Sequence, residues 1–186
     1  MIEDALSEVK QKLLEATERM VYTGGICATG MDLIVKESGV ARKTIYRHFR
    51  NKDELVAEAL RERDKRWMKW FIEATSRADS AEERLLSCFD ALEQWFATGD
   101  FNGCAFINAA GEVSDVSNPI NIVAREHKVN LRNYLLQLTT EYGAEAPEAL
   151  ATEFLILIDG AITVAKVMAN RHAARDARQL ARKLLK

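Results

Sequence analysis

The sequence is poor in the residues that interrupt helices and in the segments that mark secreted or membrane proteins. Only two prolines and nine glycines occur in 186 residues, and long stretches without such breakers favour an all-α fold. No apolar run approaches the ~18 residues of a membrane span. The acidic start lacks the basic and apolar regions of a signal peptide. We therefore expect a cytoplasmic protein that has no contact with a membrane.

Cysteine, histidine and positive charge are limited as well. The three cysteines, Cys27, Cys88 and Cys104, are odd in number and have no CxxC spacing, which argues against a disulfide framework and against a zinc site. The chain has three histidines and no GxSxG, Walker or HExxH motif, so we predict no enzyme activity, metal or cofactor. A net charge of −2 excludes a globally basic nucleic-acid coat but permits a local basic surface.

What the sequence does contain is helical periodicity, with about nine helices and no convincing strand. Leu6, Val9, Leu13, Ala16 and Met20 recur every three or four residues, which is the stripe of an amphipathic helix. The order of the segments predicts three short helices in about the first fifty residues, a long linking helix, and five more helices. This is a small N-terminal domain, residues 1–52, followed by a larger helical domain, residues 53–186.

Capping residues mark where several helices should begin. The first signal is weak: Thr29 would cap the second helix, with Asp32 three residues later. Later starts are marked by capping residues or by proline in the first turn, at Asn51, Ser80, Asn118, Pro119 and Pro147.

Two later segments carry information about packing. "FLILIDGAITVAKV" is apolar nearly all round, so this helix should be buried on more than one side. The last helix, from about Ala173, should place Ala177, Leu180, Ala181 and Leu184 inside. A third segment, "GCAFINAAGE", should form a short helix of small residues that approaches its neighbours closely.

The most informative stretch is "GVARKTIYRHF", because it is basic in a chain that is slightly acidic. Six Lys or Arg and one acid, Glu37, lie between Lys36 and Lys52. Two short helices joined by a glycine turn form the layout of a helix-turn-helix, whose second helix enters the major groove of DNA. The local positive charge would release counterions from phosphates. The alternative is a solvated helix face.

The residue types in this stretch divide into two faces. Val40, Ile45 and Phe49 should face the core of the domain. Arg42 and Lys43, near the start of the helix, can bond guanine or phosphate. Lys52, at the start of the next helix, can attract a phosphate together with backbone N–H groups.

At this point the sequence resembles the DNA-binding segment of the tetracycline-repressor (TetR) family of bacterial transcriptional regulators. The resemblance covers "TGMDLIVKESGVARKTIYRHFRNKDEL", and the rest of the chain is similar only in its layout of helices. The matching residues are Thr29, Ile34, Gly39, Val40, Thr44, Tyr46, His48, Phe49, Lys52 and Leu55. The DNA-binding residues that we predict are Thr29, Arg42, Lys43, Thr44, Tyr46, Arg47, His48 and Lys52.

The resemblance also implies partners and a mode of action. Members of the family are homodimers that bind a palindromic double-stranded DNA operator, usually to repress, and leave it when a small molecule enters the helical body. The last two long helices of each subunit pair in the dimer. Few polar groups accompany the aromatic residues here, so we expect a hydrophobic or amphipathic effector.

Candidate effector-binding residues follow from the same resemblance, and each has a structural alternative. Trp67, Trp70 and Phe71 lie on the fourth helix, which often borders the pocket in the family, but aromatic residues commonly pack in a core. His127 lies on an apolar stripe and would suit a core histidine as well as a ligand contact. The remaining candidates are Cys104, Asn108, Leu131 and Asp159.

Two other functions are compatible with these features. The first is a helical scaffold or binding protein whose basic patch meets RNA or an acidic protein. The second is a regulator that senses oxidants through a thiol. The sequence favours the ligand-responsive DNA-binding regulator over both.

Overall fold

The part of the chain that the structure describes folds into helices joined by loops. This computed structural model describes residues 2–185, with side chains from residue 8 onward, so the side chain of Leu6 lies outside the described residues. These residues form nine helices and no strand, which confirms the all-α prediction. The helices are α1 Ile2–Gly24, α2 Met31–Ser38, α3 Arg42–His48, α4 Lys52–Thr75, α5 Ala81–Phe96, α6 Ala105–Glu112, α7 Pro119–Tyr142, α8 Pro147–Val167 and α9 Ala173–Leu184.

Local capping explains why several helices begin where they do. At the start of α4 the Glu54 N–H donates to Asn51 Oδ1 at 2.9 Å, and the Arg50 N–H donates to the Glu54 carboxylate at 2.9 Å. At the start of α5 the Glu83 N–H donates to Ser80 Oγ at 3.1 Å. Each bond satisfies a backbone N–H that has no partner within the helix. These predicted starts are confirmed.

Helix α2 begins at Met31, and only its predicted capping residue is wrong, by one position. Gly30, not Thr29, occupies the capping position, and no side chain caps this helix. The Thr29 hydroxyl points the other way and donates to the Gly25 carbonyl at 2.7 Å. A hydroxyl competes for backbone groups on either side of it, and here the carbonyl in the preceding loop is the partner.

The chain divides into two compact units. One consists of Met1–Lys65 with Ala105–His127, and the other of Arg66–Cys104 with Lys128–Lys186. The functional boundary at residue 52 stays a prediction from the sequence.

In the first unit, α1 to α4 enclose a small apolar core. The predicted inner face of α3 is confirmed, because Val40, Ile45 and Phe49 are all buried. Burying such a side chain contributes roughly 1.5–3 kcal/mol. This cluster is therefore the main support of helices α1 to α3, which we call the head. The cluster consists of Leu13, Leu14, Ile34, Val40, Ile45, Phe49, Leu55 and Ala59.

In the second unit, α8 packs against α5 and α9. The Phe154 ring of α8 lies 5.8 Å from the Phe89 ring of α5, measured between centroids. The opposite side of α8 carries Ile156, Gly160, Val164 and Val167, and all four are exposed. One chain therefore covers only one side of the apolar helix.

The predicted inner face of α9 is half wrong. Ala177 and Ala181 are buried, but Leu180 is 50% and Leu184 41% exposed. The small alanines let α9 lie close to its neighbours, and the two leucines on the adjacent face project away from them. None of the helices in the described residues is long and apolar enough to cross a membrane.

Candidate nucleic-acid interface

The turn between α2 and α3 is built by one glycine and one serine. Gly39 adopts the left-handed conformation, φ 67°, and its N–H donates to the Val35 carbonyl at 3.1 Å. Glycine reaches this conformation without the steric cost of a side chain. Ser38 Oγ accepts the Val40 N–H at 3.2 Å. The turn therefore has a fixed geometry that sets the direction in which α3 leaves α2.

Helix α3 presents its polar residues away from the core. Ile45 is 1% exposed, whereas its neighbour Tyr46 is 47% exposed. Thr44 is half-buried. The exposed polar side chains on this helix are Arg42, Lys43, Tyr46, Arg47 and His48.

The charges on α3 are not all equally available. Arg42 forms an ion pair with Asp32 of α2, which must be shared or exchanged when Arg42 meets another anion. Lys43 and Arg47 form no ion pair with an acid in the part of the chain whose side chains are described. These two cations are the ones free to meet a phosphate or a base edge.

Lys52 has a structural partner that the sequence did not predict. It is half-buried, and its Nζ donates to the carbonyl of Ile26 in the loop between α1 and α2 at 2.9 Å. An ammonium has three donors, so one bond to the loop leaves two for a phosphate. Lys52 therefore links α4 to the α1–α2 loop whether or not it also contacts DNA.

Thr29 does not have the exposure that we expected of a DNA contact. Its side chain is 1% exposed, and its hydroxyl already donates to the Gly25 carbonyl. A buried hydroxyl with a satisfied donor does not reach a phosphate, so we remove Thr29 from the interface.

Glu112 is the residue of this region that sequence reasoning missed. It ends α6, and its carboxylate accepts the backbone N–H groups of Ile26 and Cys27, each at 2.9 Å. Partial burial raises the pKa of Glu112, but these hydrogen bonds and the nearby Lys52 outweigh it, so its pKa lies below the usual value. Glu112 is therefore ionised at neutral pH.

Among the predicted effector-binding residues, the three aromatic ones of α4 form a single cluster with α5. Trp67 stacks on Phe71 with 4.8 Å between ring centroids, and it meets Trp95 edge-on at 5.8 Å. Trp70 lies 6.4 Å from Trp95. All three tryptophans of the chain therefore lie in one cluster, to which Phe101 adds an edge contact with Trp95 at 5.0 Å.

His127 is buried and held on two sides. Its Nδ1 lies 2.7 Å from an Asp64 carboxylate oxygen, and its ring stacks on Phe106 with 3.8 Å between centroids. This is the satisfied core histidine of the structural alternative. Its role as a ligand contact stays a prediction.

Asp159 and Cys104 share one lysine. The Lys128 ammonium lies 2.6 Å from Asp159 Oδ1 and 3.7 Å from Cys104 Sγ. The half-buried Asp159 carboxylate on the apolar helix α8 thus has an ion-pair partner, which offsets the cost of its partial desolvation. Leu131 is fully buried, and Asn108 is exposed.

The three thiols lie in different surroundings. Burial raises the pKa of Cys88 well above its usual range, so this thiol stays protonated. Cys27 is exposed, and Cys104 is buried beside the Lys128 ammonium. Thiol-based sensing at Cys104 stays a prediction.

A cleft in the second unit was not predicted from the sequence. Its volume is about 230 Å³, and its lining includes Phe96, Phe101, Lys166 and Arg171. Lys166 donates to the Asn102 side chain, and neither cation pairs with an acid within the described side chains. Phe101 also joins the tryptophan cluster, so the cleft combines uncompensated positive charge with aromatic surface.

Comparison with known proteins agrees with the helix-turn-helix. The sequence profile of bacterial regulatory proteins of the tetR family matches residues 13–59. The transcriptional regulator TtgR of Pseudomonas putida is 42% identical over 53 residues, which are 28% of this chain and 25% of that protein. The residues that the family profile matches contain α2 and α3.

Similarity also extends over nearly the whole chain. The transcriptional regulator YjdC of Escherichia coli is 24% identical over 173 residues, covering 92% of this chain and 85% of that protein. The crystal structure of a TetR-family transcriptional regulator from Streptomyces coelicolor superposes with a TM-score of 0.87 at 25% identity, covering 96% of this chain and 95% of that one. These relatives are regulators and not enzymes. The basic helix-turn-helix, the helical body and these relatives together show that the chain is a DNA-binding transcriptional regulator, whose residues 13–59 match the tetR family.

Proposed function

We propose that this regulator binds a palindromic operator as a homodimer, represses transcription there, and leaves the operator when a small molecule binds its helical body. Residues 1–52 would form the DNA-binding domain, and residues 53–186 the domain for the effector and the partner subunit. The observation that carries the ligand response is the aromatic cluster of all three tryptophans, which Phe101 connects to a cationic cleft.

The DNA contacts come from the exposed face of α3. Two such helices in a dimer have to lie about 34–36 Å apart to reach successive major grooves. Lys43 and Arg47 supply free positive charge, and Tyr46 and His48 supply polar groups on stiff rings. Arg42 and Lys52 contribute after sharing their present partners, Asp32 and the Ile26 carbonyl.

The first prediction concerns the two free cations of α3. Replacing Lys43 or Arg47 by alanine should weaken operator binding by about 1–3 kcal/mol, because each removes a contact to a phosphate or a base. Lys52→Ala should weaken binding to all sequences. It should also reduce the slope of log affinity against log salt concentration by about one unit. Gel-shift titrations on a palindrome selected with the wild-type protein measure both effects.

The matched control is Arg77→Ala, which removes one exposed positive charge from the segment between α4 and α5. It should leave operator affinity unchanged. If Lys43→Ala, Arg47→Ala and Arg77→Ala all behave alike, α3 is not the recognition helix.

The homodimer would form through α8 and α9. The exposed stripe on α8 consists of Ile156, Gly160, Val164 and Val167, and Leu180 and Leu184 extend the apolar surface onto α9. Exposed apolar patches of this kind mark protein contacts. A two-fold axis would place the same stripe of each subunit against its partner, and Gly160 lets two helices approach closely.

The effector would be amphipathic, with an apolar part and a negatively charged or polar group. The aromatic rings offer apolar contact area, and the uncompensated Lys166 and Arg171 favour an anion at the cleft. The sequence indicated a hydrophobic or amphipathic effector, and the two cations favour the amphipathic one. Asp159 lies in the same unit as the cleft, and the contacts of Asn108 and His127 with a ligand stay predictions from the sequence.

The second prediction uses the tryptophans as reporters. In a panel of aromatic carboxylates and matched neutral amides, a compound that binds should quench tryptophan emission and dissociate the operator complex over the same concentration range. Trp95→Phe should lose much of the quenching and keep the operator release, because phenylalanine retains the packing but not the indole emission. A compound that quenches fully at saturation and leaves the operator complex intact contradicts ligand-induced release at this cluster.

A further inference from the structure

The end of α6 lies against the loop that connects α1 to the helix-turn-helix. We propose that Glu112 is a positioning residue for DNA recognition, because its carboxylate fixes this loop and thereby the placement of α2 and α3. The inference rests on the DNA-binding function of the head. It assigns a role to a residue that lies outside the helix-turn-helix in the sequence.

The contact is made by both oxygens of the carboxylate. Oε1 accepts the Ile26 N–H and Oε2 accepts the Cys27 N–H, each at 2.9 Å. Hydrogen bonds to an ionised acceptor are about twice as strong as neutral ones, and a two-pronged arrangement also fixes orientation. Because the carboxylate accepts the N–H groups of two consecutive residues, the loop cannot turn about a single hydrogen bond.

Gly25 makes room for this contact. Its φ is +88°, and a Cβ at this position would lie 2.9 Å from Glu112 Oε1. A side chain would therefore strain the backbone and press on the carboxylate. Both the conformation and the close approach require glycine here.

The loop is held from two further directions. Lys52 at the start of α4 donates to the Ile26 carbonyl at 2.9 Å, and the buried Thr29 hydroxyl donates to the Gly25 carbonyl at 2.7 Å. Glu112 and Lys52 thus bind the N–H and the carbonyl of the same residue, Ile26. The two charges also attract each other through this short segment.

Fixing the loop fixes the recognition helix. The loop ends at Gly30, the capping residue of α2. Helix α2 is coupled to α3 through the buried Ile34, Val40 and Ile45, which share one core. Because this core is close-packed, a displacement of the loop and α2 would also displace α3. A loop that loses its anchor would therefore let α2 and α3 occupy a wider range of positions on DNA.

Simple electrostatics predicts the opposite effect from positioning. A negative charge on a DNA-binding unit repels phosphates, so removing it should tighten binding to any DNA. Loss of positioning should weaken binding to the operator, whose base contacts require exact geometry, and leave binding to random DNA intact.

The experiment compares Glu112→Gln with Glu126→Gln in the full chain. Glu126 is an exposed acid on α7 whose Oε2 lies 3.2 Å from Arg61 Nε, so its replacement removes the same charge without touching the loop. The probes are a duplex selected with the wild-type protein and a random duplex of equal length, titrated at one salt concentration. Glu112→Gln should weaken binding to the selected duplex about tenfold, because the bonds it weakens involve a charged group. Binding to the random duplex should stay within about twofold for both variants.

Hydrogen exchange provides a readout that does not depend on DNA. In Glu112→Gln the amides of Ile26 and Cys27 should exchange faster, and those of α8 should be unchanged. Glu112→Asp, which keeps the charge but is shorter, should shift both measurements in the same direction and serves if the first variant folds poorly.

Three results would overturn the proposal. Equal losses on the selected and random duplexes, by a variant that is folded, show that the carboxylate does not act on the geometry of the base contacts. Unchanged or tighter binding to the selected duplex indicates that the carboxylate acts only by its charge or not at all. Unchanged exchange at Ile26 and Cys27 shows that the contact does not hold the loop. Failure of the DNA-binding function itself appears in the wild-type protein, as equal affinity for the two duplexes.

Discussion

Replacing Ile156 or Val167 by glutamate should convert the proposed dimer into monomers and lower operator affinity about 100-fold or more. Both residues lie on the exposed stripe of α8, where they are 65% and 77% exposed. In a dimer they would be covered, and an unpaired carboxylate buried there carries a large desolvation cost. Because a dimer binds two half-sites through linked domains, its loss removes a gain of about 10²–10⁴ in apparent affinity.

The matched control is Val129→Glu on α7. Val129 is also an exposed valine, 49% accessible, but it does not belong to the stripe on α8 and α9. It should remain dimeric and bind the operator normally. Analytical ultracentrifugation and operator titration check the two properties separately. A Val167→Glu protein that stays dimeric would place the subunit contact elsewhere. A monomer with wild-type affinity would show that dimerisation does not contribute to operator binding.

The second large effect is expected from two neighbouring residues of α3, of which Ile45 is buried and Tyr46 is exposed. Ile45→Ala should lower the free energy of unfolding of the head by about 2–5 kcal/mol, because it leaves a cavity in a small core. Operator binding should be lost in proportion to the unfolded fraction. Tyr46→Ala should leave stability within about 0.5 kcal/mol, since this side chain is half exposed, and should still weaken operator binding.

Denaturant unfolding with hydrogen exchange at α2 and α3 measures the stability, and gel shift measures the affinity. Ile45→Ala should lose stability and binding together, whereas Tyr46→Ala should lose binding alone. If Tyr46→Ala destabilises the head as much as Ile45→Ala does, the assignment of the two faces of α3 is wrong.

The fold was largely accessible from the sequence because its signals are local. Asn51 accepts the Glu54 N–H, Glu54 accepts the Arg50 N–H, and Ser80 accepts the Glu83 N–H at the start of α5, each within three or four residues. The spacing of Val40, Ile45 and Phe49 identified the buried face of α3 for the same reason. Such patterns depend on the geometry of one helix and need no knowledge of its neighbours.

The errors lie where a residue had a choice between partners. Thr29 was expected to cap α2, but its hydroxyl bonds the Gly25 carbonyl in the preceding loop. Leu180 and Leu184 were expected to be buried, but both are exposed. An apolar stripe does not show whether the residues that bury it belong to the same chain. Lys52 was correctly placed at a helix start, yet its contact with Ile26 spans 26 residues.

The sequence by itself determined the helical class, several helix starts, the two faces of α3 and the basic helix-turn-helix, because each follows from spacing within about one to four turns. Only the tertiary structure decided that Glu112 reaches Ile26 and Cys27, that Lys128 joins Asp159 and Cys104, and that three tryptophans meet in one cluster. These contacts join residues that are distant along the chain. Their geometry depends on how whole helices pack, and no local pattern encodes that packing.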